Sequence, residues 1–239
     1  MPDNGASKTT IWFIIGFVIL IVGGLIVAGI YSNGTSGSPS GGFVATNAPA
    51  ITASDWHEGN PHAAVTVIEY GDFECPACGA YAPIVQQLIG NFSSTVEFVF
   101  RNFPLYQVHP DASISAQAAE AAGLMGGSSA YWKMNNLLYE KQDDWATITP
   151  DQVVSQKFDG YAQSIGLAVD TFNKDLTASS VLAKIQNDAN GGNAAQIDHT
   201  PTFFVNLKQI PNPTSYDDFA STLNQALSSA TGTASSSGN

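Results

Sequence analysis

The sequence is short of charge. Its 239 residues hold 8 Lys+Arg and 20 Asp+Glu, 12% in all, about half of the ~25% usual for a soluble domain. Cations are scarcest, and the net charge of −12 excludes a nucleic-acid binder, whose affinity rests on clustered Lys and Arg releasing counterions. Cysteine is equally scarce. Cys75 and Cys78 are the only two, so the chain can build neither a disulfide framework nor a four-cysteine zinc site.

What the chain has instead is an uneven distribution of apolar residues. Residues 11–31 read IWFIIGFVILIVGGLIVAGIY, with no charge inside. About twenty such residues in a helix cross the ~30 Å hydrocarbon core of a bilayer. A cleaved signal peptide has an apolar stretch of only ~7–15 residues and a small-x-small cleavage site; this run is longer and lacks a convincing site. The reading is therefore an uncleaved transmembrane anchor and a single-pass protein of the cell membrane. Lys8 precedes the run, and the next cation is Arg101. The positive-inside rule then puts residues 1–10 in the cytoplasm and the rest outside it. Gly24 and Ala28 form a small-xxx-small pair that can pack two anchors together or stand there by chance; the expectation is a monomer. Residues 32–52 are rich in Gly, Ser, Pro and Thr and predict a flexible linker. Residues 228–239, SSATGTASSSGN, predict a disordered tail.

The globular part is 53–227. Val65–Tyr70 alternates as a strand, with Val65, Val67 and Glu69 on one face. Residues 76–89 follow helical spacing, with Pro83 inside as a source of a kink. Residues 96–101 form a second strand. The stretch 111–189 is rich in Ala, Gln and Leu, and predicts helices at about 111–124, 128–140, 150–165, 169–176 and 179–189, punctuated by glycines. A third strand is expected at 202–206, a short fourth at 208–210, and a last helix on the stripe Tyr216, Phe219, Leu223, Leu227.

The two cysteines frame Pro76 and Ala77, at the point where a strand ends and a helix starts. A helix N-terminus offers free N–H groups and the positive end of a dipole, both of which favour a thiolate at Cys75. Pro76 fits the first turn because it has no N–H to leave unpaired. Cys-x-x-Cys thiols in such places titrate from ~3.5 to ~7, against ~8.5 for a free thiol. Cys78, one turn deeper, is the expected resolving thiol. Two blander readings remain: a structural disulfide, which would constrain the unfolded chain little, and half a zinc site completed from His57, His62, His109 and His199, none of which forms a paired ligand motif. Redox chemistry is preferred to both, with no bound cofactor beyond the Cys75–Cys78 pair and no metal. Asp72 and Glu74 read as exposed loop charges that raise the pKa of Cys75. Far downstream, His199-Thr200-Pro201-Thr202 stands just before a strand, where a proline is tolerated.

Together these segments resemble the DsbA-like thiol:disulfide oxidoreductases of the thioredoxin superfamily, in their membrane-anchored bacterial form. The matching pieces are Gly59-Asn60-Pro61, VIEYGDF at 67–73, Cys75–Cys78, RNFPL at 101–105, His109-Pro110, the Ala-rich run 116–122, Tyr131-Trp132 with Met134, and TPTFFVN at 200–206. They cover about 150 residues in the family's order. The resemblance implies an α/β thioredoxin fold with a helical insertion at roughly 106–190. It implies a cis Thr200–Pro201 bond facing the cysteines, in a loop that binds the substrate backbone together with Pro76, Ala77 and His199. It also implies an acidic residue under the active site, here Glu69, that relays protons to Cys78; the alternative is a strand-end carboxylate reaching water. His199 replaces the small residue common before Thr-Pro, and either stabilises the thiolate or faces solvent. Leu207 replaces the usual glycine after Asn206, which predicts an irregular last hairpin. His109 and Trp132 read as a turn and a core anchor, His57 and His62 as surface residues.

The function expected is an extracytoplasmic oxidase that forms disulfides in exported proteins. Its reoxidant would be a quinone-linked membrane protein, DsbB-like or vitamin K epoxide reductase-like. A reductase or isomerase is the second reading, because Pro-Ala between the cysteines lacks the histidine of the most oxidising relatives. A non-catalytic peptide-binding holdase is the third.

Overall fold

The computed structural model describes residues 47–236, and their side chains as far as Thr231. The expected cytoplasmic tail, the anchor at 11–31 and most of the linker lie outside the described residues. Among the described residues no helix is long and apolar enough to cross a membrane.

Five strands form one mixed sheet: β1 (Trp56–Gly59), β2 (Val65–Gly71), β3 (Val96–Asn102), β4 (Thr202–Val205) and β5 (Lys208–Ile210), in spatial order β1-β3-β2-β4-β5. β2 and β3 run parallel, and the other neighbours are antiparallel. Helix α1 (Pro76–Phe92) makes the crossover between the parallel pair. A helical insertion then separates β3 from β4: α2 (Ala112–Glu140), α3 (Gln142–Trp145), α4 (Pro150–Val153) and a π-helical turn at Val154–Phe158 that continues into α5 (Asp159–Ser164), followed by α6 (Val169–Asp175) and α7 (Ser179–Ala194). Helix α8 (Tyr216–Ser236) closes the fold. This is the thioredoxin arrangement with a helical insertion.

The period-two alternation of β2 decides what lies beneath the cysteines. Val65 and Val67 point into the larger core with Cys75, Cys78, Val85, Phe100 and Phe203. Ile68 and Tyr70 point the other way, into a smaller cluster with Val99 and Phe204. Glu69 shares the parity of Val65 and Val67, so its carboxyl enters the cysteine side of the sheet. Its neighbours across the ladder are Phe100 and Phe203.

Four expectations are corrected. First, the linker ends earlier than residue 52. Asn47 bridges to Lys208, Ala48 is buried, and its N–H donates to the Leu207 carbonyl at 2.8 Å; the apolar Ala48 and Ile51 cover the smaller cluster. Second, residues 228–236 are helical, continuing α8. The Ser228, Ser229 and Thr231 hydroxyls donate to carbonyls one turn back, at Asn224, Gln225 and Leu227. Their polar groups are thereby satisfied without leaving the helix. Third, the β4–β5 hairpin is a regular two-residue turn. Asn206 and Leu207 sit at φ 50° and 66°, the double left-handed pattern that matches strand twist. Fourth, β1 has no counterpart among the expected strands. It pairs with β3 on one side only and is an edge.

The two helices expected at 111–124 and 128–140 are one element broken by Gly127, at φ 68° and ψ −164°. That left-handed conformation costs glycine little.

A buried polar network ties the layers together. Arg101 on β3 uses every donor: Nε and Nη2 grip the two Asp55 oxygens at 3.0 and 2.9 Å, Nη1 donates to the Pro49 carbonyl and the Tyr70 hydroxyl, and Nη2 also reaches the Ala50 carbonyl. Lys184 bridges Asp55 and Asp188, at 3.5 and 2.6 Å. Asp188 accepts the Asn102 N–H, the Asn102 side chain donates to Glu120, and Trp56 donates to Glu120 at 2.7 Å. The segment before β1, the strand β3 and the helices α2 and α7 are thus joined through ion pairs and hydrogen bonds, which buried charged and polar groups require.

Candidate active site

The site grows from the end of β2. The chain leaves the strand at Gly71, and Asp72 organises the turn that follows. One Asp72 carboxylate oxygen accepts the Glu74 N–H at 2.9 Å; the other accepts the Leu105 N–H at 2.9 Å and faces His109 Nδ1 at 2.8 Å. The Asp72 carbonyl accepts the Cys75 N–H at 3.1 Å. Asp72 and Glu74 are therefore not exposed loop charges. Both are buried, because their oxygens serve as acceptors inside the turn: Glu74 takes the Asp111 N–H, fastening the start of α2. His109 has the structural role expected of it.

Cys75 is the N-cap of α1, in extended conformation, with Pro76 in the first turn and no side-chain cap. Free N–H groups are left at the start of the helix, and those of Ala77 and Cys78 reach the Cys75 sulfur. Its thiol is held at about 5, well below the ordinary thiol range. The hydrogen bond with the Cys78 thiol is the main cause, followed by the Thr200 side chain and those two N–H groups; burial works against them. Cys78 is fully buried. Its thiol is pushed well up, first by burial, then by the bond it gives to Cys75 and by the nearby Glu69. Both residues are free thiols in this structure. The pair is therefore electronically asymmetric: one nucleophile ionised at neutral pH and one protonated reserve.

The Thr200–Pro201 peptide bond is cis. Its loop packs against the nucleophile, with the Cys75 sulfur 3.5 Å from the Thr200 carbonyl oxygen. Thr200 Oγ1 is buried with no protein acceptor, so its hydroxyl is available to a thiolate. Pro76 and Ala77 are exposed and border the sulfur on the solvent side.

His199 faces solvent. Its side chain is 53% exposed, and Nδ1 lies 2.6 Å from the Asp198 carboxylate. The neighbouring imidazole holds that carboxyl below its usual range. The alternative of a histidine stabilising the thiolate is not what the structure places here.

Glu69 lies beneath the cysteines, 5% exposed, with Oε1 buried and unpartnered. Burial lifts its carboxyl to about 8, so it carries a proton at neutral pH. The reading of a carboxylate reaching water is excluded.

Trp132 is buried in the main core, as expected. His57 is not a free surface residue; its Nδ1 lies 2.5 Å from Glu97. Sequence reading missed Gln142, whose side-chain amide donates to the carbonyls of Phe73 and Cys75 at 2.6 and 3.0 Å. Nothing in the local sequence marks it, since it opens a short helix of the insertion 67 positions beyond Cys75.

Together the fold and the paired thiols define a thioredoxin-type dithiol protein. A family model described as Thioredoxin matches residues 52–225. BdbD from Bacillus subtilis, in its oxidised crystal structure, is 25% identical with a TM-score of 0.67, covering 77% of this chain and 98% of that one. Wolbachia pipientis alpha-DsbA1 shares the fold at 20% identity and a TM-score of 0.64, covering 75% and 94%. A curated relative, the Na(+)/H(+) antiporter NhaA 1 of Salinispora arenicola, is 38% identical over 167 residues, which are 70% of this chain and 24% of that protein. The chain thus spans about a quarter of the length of that relative, and the antiporter name belongs to the longer protein. The chain belongs to the thioredoxin family, and its fold is that of BdbD and alpha-DsbA1.

Proposed function

We propose that the protein oxidises thiols of exported proteins outside the cytoplasm, through the Cys75–Cys78 pair. The observation that carries this reading is the asymmetry of the two thiols, held at about 5 for Cys75 and well raised for Cys78. A stabilised Cys75 thiolate stabilises the reduced protein. The disulfide form is then the better oxidant.

A substrate thiolate attacks Cys75 Sγ of the disulfide. The Cys75–Cys78 bond breaks, and its electron pair goes to Cys78 Sγ, which takes up a proton. Glu69, neutral and close by, is the group suited to supply that proton. A second substrate thiolate then attacks the substrate sulfur of the mixed disulfide, and Cys75 leaves as a thiolate. The substrate has lost two electrons and the protein has gained them. Thr200, Pro201, Pro76 and Ala77 border the sulfur and form the face on which the substrate backbone lies. The pair itself stores the electrons, so no bound cofactor takes part.

The apolar run 11–31 with Lys8 on one side supports an anchored domain outside the membrane, in a compartment where disulfides persist. A tether of that kind raises the effective concentration of a membrane-embedded, quinone-linked reoxidant. Freezing the mixed disulfide with Cys78→Ala and identifying what Cys75 has captured tests the reading. Exported proteins and one membrane oxidoreductase are expected. Capture of cytoplasmic thiols alone would refute it. A reductase or isomerase role would show as a potential near −270 mV, the thioredoxin range (roughly), in equilibrium with glutathione.

A further inference from the structure

We propose that Gln142 is a positioning residue through which the helical insertion holds Cys75 in its reactive geometry. The inference rests on the dithiol reading above.

Gln142 opens α3, a four-residue helix directly after the long α2. That short helix is anchored at its other end. Trp145 is fully buried, its indole N–H donates to the Leu138 carbonyl at 2.8 Å, and its ring meets Phe158 edge-on at 5.4 Å. All of these contacts lie within the insertion. From that fixed base the Gln142 amide reaches out of the insertion and donates to two carbonyls of the active-site turn, Phe73 and Cys75. The Cys75 carbonyl also accepts the Gly79 N–H at 3.1 Å, the first bond of α1. Gln142 therefore grips the turn on both sides of Glu74, and one of its two grips is the backbone of the nucleophile itself.

A second observation is independent of those hydrogen bonds. Gly79 lies in the first turn of α1, where glycine is less favourable than alanine. A Cβ at Gly79 would lie 2.5 Å from Gln142 Oε1 and 3.0 Å from its Cδ. A side chain at Gly79 would make the Gln142 amide shift from its place on the turn. The space at Gly79 and the reach of Gln142 belong to one arrangement. Its effect is directional: with the Phe73 and Cys75 carbonyls fixed, the N–H groups of Ala77 and Cys78 stay aimed at the Cys75 sulfur.

The test uses the reduced full-length chain, with thiolate absorbance followed against pH and with the equilibrium against glutathione. Gln142→Ala removes the grip. Gln142→Glu keeps the shape but sets a carboxylate against two carbonyl oxygens. Gly79→Ala displaces the amide without touching it. Thermal melting of each variant reports whether it folds. Gln142→Ala is expected to raise the Cys75 pKa by about one unit, a tenfold loss of thiolate below that pKa. Gln142→Glu should raise it further. Gly79→Ala should resemble Gln142→Ala, and the double variant should be no worse than either single one, since both break the same contact. The glutathione equilibrium should move up to tenfold towards the disulfide, about 30 mV. A parent Cys75 that titrates near 5 and does not move in Gln142→Ala or Gln142→Glu overturns this inference and leaves the dithiol reading standing. A parent Cys75 in the ordinary thiol range overturns both.

Discussion

The Cys75 sulfur lies 3.5 Å from the carbonyl oxygen of Thr200, a residue 125 positions further along the chain. The whole helical insertion lies between them in sequence, yet β2 and β4 are neighbours in the sheet. Tyr70 on β2 stands opposite Thr202 on β4, so the turn after one strand meets the loop before the other. The Thr200 hydroxyl, buried and otherwise unpartnered, contributes to the low pKa of Cys75.

Thr200→Val keeps the shape and removes that hydroxyl. The Cys75 pKa is expected to rise from about 5, and the protein becomes a weaker oxidant. A pH titration of the rate of alkylation of the reduced protein checks this. An unchanged profile would show that the thiolate does not use the hydroxyl.

The same depressed thiol makes the reduced form pH-sensitive. A group with a lowered folded pKa stabilises the fold fully above its unfolded value and loses that contribution as pH falls to the folded value. For Cys75 the window runs from the ordinary 9.0 down to about 5. The reduced protein should therefore lose its advantage over the oxidised one across that window. Melting temperatures of both forms between pH 4 and pH 9 (about these limits) should converge at the acid end. A gap that widens on acidification would contradict the assignment.

Glu69 has the opposite sign. Its carboxyl is raised from 4.5 to about 8 by burial, so the folded state keeps a proton that the unfolded state has lost, and stability falls as pH rises through that window. Glu69→Gln removes the penalty. The variant should melt higher than the parent at alkaline pH and lose that lead below pH 4.5. In stopped-flow measurements its Cys78 should leave more slowly from the disulfide, by roughly a hundredfold, the lower limit of the range for general acid catalysis. A variant that reacts like the parent would remove the proton relay from the mechanism.

Arg101 tests the buried network. Arg101→Leu takes the guanidinium from Asp55, which keeps only Thr52 and the more distant Lys184, and strips the Pro49 and Ala50 carbonyls of their Arg101 donors. Breaking a buried pair by removing one partner costs about 3–5 kcal/mol. Urea unfolding should show that loss with the Cys75 pKa unmoved, because Arg101 faces the smaller cluster on the other side of the sheet from the cysteines. Arg101→Leu together with Asp55→Leu should recover part of the stability.

The chemistry was legible because it is local. Cys75 and Cys78 lie one helical turn apart, Pro76 starts the helix, and alternation along Val65–Tyr70 already put Glu69 on the Val65 face. The glycines of the insertion were legible as punctuation for the same reason, and one of them, Gly127, breaks the long helix. The turn after Asn206 was misjudged because Leu207 is not a turn residue; it takes φ 66° while its side chain packs against the smaller cluster. Asp72 and Glu74 looked like solvent charges because their acceptors' partners, the N–H groups of Leu105 and Asp111, come from distant segments.

By itself the sequence determined the cysteine pair, the strand–helix junction that ionises one of its thiols and the order of the elements from β2 onwards, all set by short-range spacing. Only the tertiary structure decided that Thr200 and Gln142 converge on that junction, that His199 turns to solvent and that Arg101 is fully paired. Those contacts join residues tens to more than a hundred positions apart, and strand order and side-chain packing, not local propensity, bring them together.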